Sequence, residues 1–219
     1  MSKFNGHQKY YTKEGVLVPG VTTILGVLAK PALVPWANKL GLQGIDVGKY
    51  VDSLADVGTL AHRIVEAYLK KEDVDYADYT PNQRTLAERA AAKFFEWEKK
   101  NDFSVIKSEL QLVSEKHYFG GTCDIYANLN GKKTLIDIKT SKACYNEHFT
   151  QVSAYKLLLE ENGYPVEDAY ILRIGREEAE GFDVKDVPMI DVHAEKFLAC
   201  LKILQINNKL KENRILVEK

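Results

Sequence analysis

The chain has 219 residues, 45% apolar and 28% charged. That globular composition excludes a disordered chain and suits one domain, or one with a helical elaboration. Lys and Arg number 30 against 31 Asp and Glu, a net charge of −1; this excludes a basic protein that coats nucleic acid by bulk charge, but not a nucleic-acid enzyme, because metal-binding carboxylates enter the same sum.

Cys123, Cys144 and Cys200 are widely spaced with no CxxC pair, so they build neither a structural zinc site nor a four-cysteine iron–sulfur cluster. Reduced thiols suit an intracellular setting. The stretch Met1–His7 has no apolar run after its charge, and no segment reaches the ~18 apolar residues of a membrane span. A cytoplasmic protein with no membrane partner is the expectation.

In chain order, Tyr10-Tyr11 and Val16-Leu17-Val18 around Lys13-Glu14-Gly15 predict a short hairpin, ended by Pro19-Gly20. From Val21 to about Lys100 the pattern is mostly helical. Its clearest helices run from Gly58 to Lys71 and from Pro81 to Lys100, with Thr80 capping the second. Alternation over Ser104 to Ser114 predicts a strand. Gly120 to Leu129, Asn130-Gly131 and Lys132 to Thr140 predict a hairpin carrying the strongest short turn signal. A helix over Asn146 to Gly163, a strand over Ala169 to Ile174 and a helix from His193 to about Glu212 follow. The order predicts an α/β core (104–219) after a hairpin and helical addition (1–103), in a single domain.

With Asn130-Gly131 as a two-residue loop, Leu129 faces Lys132 and, counting back, Asp124 faces Asp137. Lys139 shares the face of Asp137, while Ile125, Ala127, Leu129, Ile136 and Ile138 form the opposite, buried face. Facing carboxylates repel. A raised pKa on one acid or a hard divalent cation offsets that repulsion. Two acids and a lysine on one face suit metal-assisted phosphodiester hydrolysis. A solvated, ordinarily charged hairpin face is the competing reading of so short a pattern, and a three-residue loop would undo the register.

Three flanking features bear on that choice. Gly120-Gly121 precedes Asp124, either to admit a substrate backbone or to bend the strand. Gln151 and Tyr155 share one face of the following helix. His62, with Glu66, lies on the helix read as opening at Gly58, and neutral imidazole is a good metal ligand. Lys132, Lys133, Lys139 and Lys142, with Thr140 and Ser141, read as a patch for phosphates. Tyr118, Tyr126 and Tyr145 read as bases' stacking partners, and Trp36 as core. The last helix is lysine-rich and residues 160–191 are acid-rich.

The ordered set Gly58-Thr59-x-x-His62, Glu109, Gly121-x-x-Asp124, Asp137-Ile138-Lys139 and Gln151-x-x-x-Tyr155, preceded by Pro19-Gly20-Val21-Thr22-Thr23, resembles the PD-(D/E)XK nuclease superfamily and, within it, the RecB-like exonuclease branch. The likeness spans about residues 19 to 160. It implies a restriction-endonuclease-like core, a mixed β-sheet flanked by helices. It implies a Mg²⁺- or Mn²⁺-dependent nuclease with Asp124, Asp137 and Lys139 catalytic. The metal would be held by Asp124, Asp137, His62 and the Ile138 backbone carbonyl. Glu109, Gly121, Thr140, Ser141, Lys142, Gln151 and Tyr155 would support the site or the DNA. The second acid is Asp where many members have Glu. The cysteine cluster of some relatives is impossible here, so no iron–sulfur cluster is expected. The resemblance further implies a phage-type exonuclease of recombination, replication or repair, acting on single strands or free ends in a host cytoplasm. A single-strand-annealing or other recombination protein is the implied partner. An endonuclease, and a non-catalytic DNA-binding or interaction module on the same fold, are the other readings.

Overall fold

A computed structural model describes residues 8–217; the stretch Met1–His7, read above for a signal peptide, lies outside them. The expected first hairpin forms as β1 (Tyr10–Tyr11) and β2 (Leu17–Val18), with Tyr10 opposite Val18. Helices α1 (Val21–Leu25), α2 (Leu33–Leu42), α3 (Val47–Lys70) and α4 (Pro81–Glu98) follow. Pro81 opens α4 where its missing N–H costs nothing, and Thr80 and Gln83 cap it reciprocally. Helix α3 begins far ahead of Gly58: the Asp46 side chain accepts from the Lys49 N–H and caps it at Val47. Gly58 is therefore mid-helix. A Cβ there would lie 2.8 Å from Thr140 Oγ1, so the missing side chain lets α3 pass the end of a strand.

The central sheet holds β3 (Phe103–Ser114), β4 (Phe119–Leu129), β5 (Lys132–Lys139), β6 (Asp168–Ile174) and β7 (Phe182–Asp186), in that spatial order. Only β5 and β6 run parallel. Their crossover is helix α5 (Asn146–Glu161), and α6 (Ile190–Val217) closes the chain. This is the expected α/β architecture, a mixed sheet flanked by helices. The sequence pattern predicts no strand beyond Ile174; β7 is the addition, an edge strand whose Asp183 and Asp186 mask its period. Asn130 (φ 52°) and Gly131 (φ 83°) make the two-residue turn, and Leu129 faces Lys132 as the count requires.

Each face of the sheet has its own core. Ile125, Ala127, Leu129, Ile136 and Ile138 pack under α3 and α4 against Leu60, Ile64, Phe94 and Trp97. Tyr126, Leu135 and Ile171 pack under α1, α5 and α6 against Ile24, Leu158 and Phe197. The strands are thus covered on both faces, and the site residues gather midway along β4, where its ladder to β5 stops, and at the end of β5. Among the described residues no helix is long and apolar enough to cross a membrane.

Candidate active site

The pleat of β4 fails at one place. Cys123 and Tyr126 both lie in the α5-side core, whereas Ile125 lies in the α3-side core. Regular alternation would put 123 and 125 on one face, so the period slips at Asp124. On β3, Ser108 pairs with Ile125 and Leu110 with Cys123, which sets Glu109 beside Asp124. Glu109 has φ 50°, the left-handed region that a non-glycine residue rarely adopts. Two irregularities at one rung free both carboxylates from the pleat and aim them at α3.

There they meet His62. Its Nδ1 is 3.5 Å from Asp124 Oδ2. One ligand atom each from His62, Glu109 and Asp124 lies within 4.8 Å of the others. Three atoms at that spacing can surround one hard cation with bonds of about 2.0–2.4 Å, so the donor set fits a divalent metal. Glu66 lines the same cleft but is tied to Lys70 at 2.5 Å.

Asp137 is fully buried one strand over, and neither of its oxygens has a well-aligned hydrogen-bond partner. Lys139 Nζ stands 2.6 Å from Oδ2, an ion pair of poor hydrogen-bond geometry. The β4–β5 ladder ends at Ile125–Ile136, and beyond it the Ile138 N–H donates to Asp124 Oδ2 at 2.7 Å. Asp124 thus replaces a ladder carbonyl, and Ile138 meets the site through its N–H.

Burial, with the charge of Asp124 added, pushes the Glu109 carboxyl up to about 8. Burial raises Asp137 to about 7 despite Lys139. Burial alone would lower Lys139, but the carboxylates of Asp137 and Asp124 outweigh it and hold the ammonium above its usual value. Surplus negative charge that the protein's own cations leave unneutralised is a second feature suited to a cation.

Helix α5 brings its residues as spaced. Gln151 Nε2 donates to the Tyr155 hydroxyl at 2.8 Å, and burial first, then Asp137 and Asp124, raise the Tyr155 phenol well above its usual value. Gly121 has a different job from the substrate approach considered above. A Cβ there would lie 2.8 Å from Tyr155 Cε1 and 2.9 Å from Leu158 Cδ1, so it seats α5 on β4. The Pro19–Leu25 stretch is structural too: Gly120 N–H donates to Pro19 O, and Val21, Ile24 and Leu25 are buried.

The lysine patch does not form as one surface. Lys132 and Lys133 sit at the turn end of β5, about 23 Å of strand from Lys139, and Lys132 pairs with Asp168 at 2.9 Å. Thr140, Ser141 and exposed Lys142 do follow Lys139, with Ser141 Oγ bonded to Ala143 O. Tyr126 is buried, its hydroxyl on Pro165 O, and stacks on no base; Trp36 is part-exposed rather than core, and Tyr118 and Tyr145 are exposed. Sequence reasoning passed over His148, one turn before Gln151; its only signal was the i, i+3 spacing to a residue already singled out.

No protein-family model and no curated protein matches the chain. Among solved structures it is similar to SSO0001, at 18% identity and TM-score 0.34 over 67% of this chain and 74% of that one. It is also similar to LHK-Exo, an alkaline exonuclease from Laribacter hongkongensis, at 14% and 0.35 over 74% and 91%. The complex of LHK-Exo with dAMP gives 13% and 0.36 over 74% and 92%.

Proposed function

We propose that the chain is a divalent-metal-dependent DNA nuclease, 1–219 being a single nuclease domain, and that it cuts as an exonuclease on single strands or free ends. The observation that carries the reading is the convergence of His62, Glu109 and Asp124 within 4.8 Å beside buried Asp137 and its partly buried ion-pair partner Lys139. In it His62, Glu109 and Asp124 hold Mg²⁺ or Mn²⁺, with Asp137 completing the acidic set. The bound cation supplies positive charge to the phosphate and acidifies water. Lys139, kept charged by Asp137 and Asp124, orients the nucleophile and offsets charge that develops on the phosphoryl oxygens. Tyr155 and Gln151 fix the helix behind it. Thr140, Ser141 and Lys142 offer donors to the neighbouring phosphates, and exposed Tyr145 a face for an unpaired base. The sequence resemblance supports a role in phage-type recombination, replication or repair, with an annealing or other recombination protein as partner.

The test compares linear and circular single-stranded DNA with Mg²⁺ and with Mn²⁺, using EDTA as control. Loss of the linear strand alone, stopped by EDTA, is the expected result. Cutting of circles makes the protein an endonuclease. Retention of DNA without cleavage in either metal leaves a binding module.

A further inference from the structure

Helix α5 carries a third residue toward the site. His148, Gln151 and Tyr155 lie at i, i+3 and i+7 and so on one face; Tyr155 and Gln151 are the hydrogen-bonded pair behind the carboxylates. The His148 ring is half-buried, edge-on to Tyr145 with centroids 5.3 Å apart. Its Nδ1 accepts from the Tyr145 N–H at 3.3 Å, which caps the first turn of α5. A nitrogen that accepts cannot carry the proton of a neutral imidazole, so the proton sits on Nε2, across the ring. Among the described residues no protein group accepts from that Nε2.

We propose that His148 is a substrate-contacting residue whose Nε2–H donates to a non-bridging oxygen of a DNA phosphate beside Lys139. The inference rests on the nuclease reading above. Burial first, then the Lys139 charge, lower the imidazole to about 4, so at neutral pH it remains an uncharged donor. That donor suits a site where Lys139 already supplies the charge. A neutral N–H adds direction without a second buried cation. The cap on Nδ1 fixes the tautomer and the ring plane, as the partner of any working histidine does.

Three variants separate this contact from the cap. H148Q keeps both an acceptor and a donor. H148N keeps the acceptor near Nδ1 and loses the distal donor. H148L loses both. Binding is read as the Kd of a fluorescent single-stranded oligonucleotide with Ca²⁺ in place of Mg²⁺, alongside KM and kcat with Mg²⁺ and the melting temperature of each variant. H148N should melt with the unaltered protein, yet bind about tenfold more weakly, the scale of one charge-assisted hydrogen bond, with the loss in KM. H148Q should regain most of that. An H148N protein with unaltered Kd and KM overturns this inference and leaves the nuclease reading standing, as does an H148Q protein as weak as H148L. Failure of the unaltered protein to bind or cut DNA overturns both.

Discussion

At the scale of single residues, the site pairs Lys139, held charged by the carboxylates around it, with an aspartate that is fully buried. A buried carboxylate without its cation is costly unless it takes up a proton. Asp137 already stands near 7 with Lys139 present, so removing the lysine leaves it a ready escape. Lys139→Met should therefore stay folded, with its melting temperature within a few degrees of the parent. Turnover should fall by about 10²–10³-fold, the usual size for loss of one preorganised electrostatic group. Circular dichroism melts and initial rates on linear DNA check the two halves separately. Wild-type turnover in this variant would remove Lys139 from the chemistry. Glu109 gives the complementary case. Its φ of 50° costs about 1–3 kcal/mol for a residue with a Cβ, and glycine adopts that conformation freely. Glu109→Gly should leave unfolding free energy unchanged to within about 1 kcal/mol, because relief of strain offsets the more flexible unfolded chain. Mn²⁺ affinity, read by calorimetry, should drop at least roughly tenfold as a ligand is lost. A variant that is much less stable and binds metal normally would make Glu109 structural.

At the scale of elements, α5 is the part that must be placed closely, because Gln151, Tyr155 and His148 all ride on it. Gly121 sets that distance. A methyl group there meets Tyr155 and Leu158 under 3.0 Å and Val21 Cγ2 at 3.1 Å. Those atoms are buried on a packed helix, so Gly121→Ala should destabilise by about 1–3 kcal/mol and lower activity beyond what stability explains, as read by denaturant melts and by rates well below the midpoint. An Ala variant as stable and active as the parent would show that the helix can retreat. Element by element, the sequence was legible where local chemistry decides. Asn130-Gly131 fixed the hairpin register as far as Ile125–Ile136, but the facing of Asp124 and Asp137 that the same count expects does not form, because the pleat slips at Asp124 and turns its carboxylate to His62; Thr80-Pro81 fixed the start of α4. It was illegible where tertiary packing overrides local signals. Gly58 read as a helix start because glycine usually breaks helices, yet Thr140 needs the space above it. β7 hid because Phe182-Asp183-Val184-Lys185-Asp186 is an edge strand with one half-exposed apolar side chain after its first residue. Glu109 could be carried over only by resemblance, since no sequence pattern announces a positive φ at a glutamate.

At the scale of the whole molecule, two cores flank one sheet, and buried acids sit where the layers part. Lysines elsewhere on the chain do not neutralise the site: Lys132 answers Asp168, Lys156 answers Glu160, and Lys70, at the edge of the cleft, is taken by Glu66. The near-zero net charge thus conceals a local negative surplus around Glu109, Asp124 and Asp137, and that surplus has a sign to test. Folding raises Glu109 from 4.5 to about 8 and Asp137 from 3.8 to about 7. In that window the folded chain holds protons that the unfolded chain has released. The stability they contribute is complete below about pH 4 and is lost as pH rises through 7 and 8. In EDTA the melting temperature should fall from pH 6 to pH 8, and Glu109→Gln combined with Asp137→Asn should flatten that fall. A divalent cation opposes that fall, because it binds the deprotonated acids and competes with their protons. At one hundred times its Kd, Mn²⁺ should add about 2.7 kcal/mol at pH 8 and distinctly less at pH 6. Asp124→Asn should abolish the increment at both. Melts of the three proteins at two pH values, with and without Mn²⁺, decide the matter. An equal Mn²⁺ increment at pH 6 and pH 8 would separate the metal from these carboxylates.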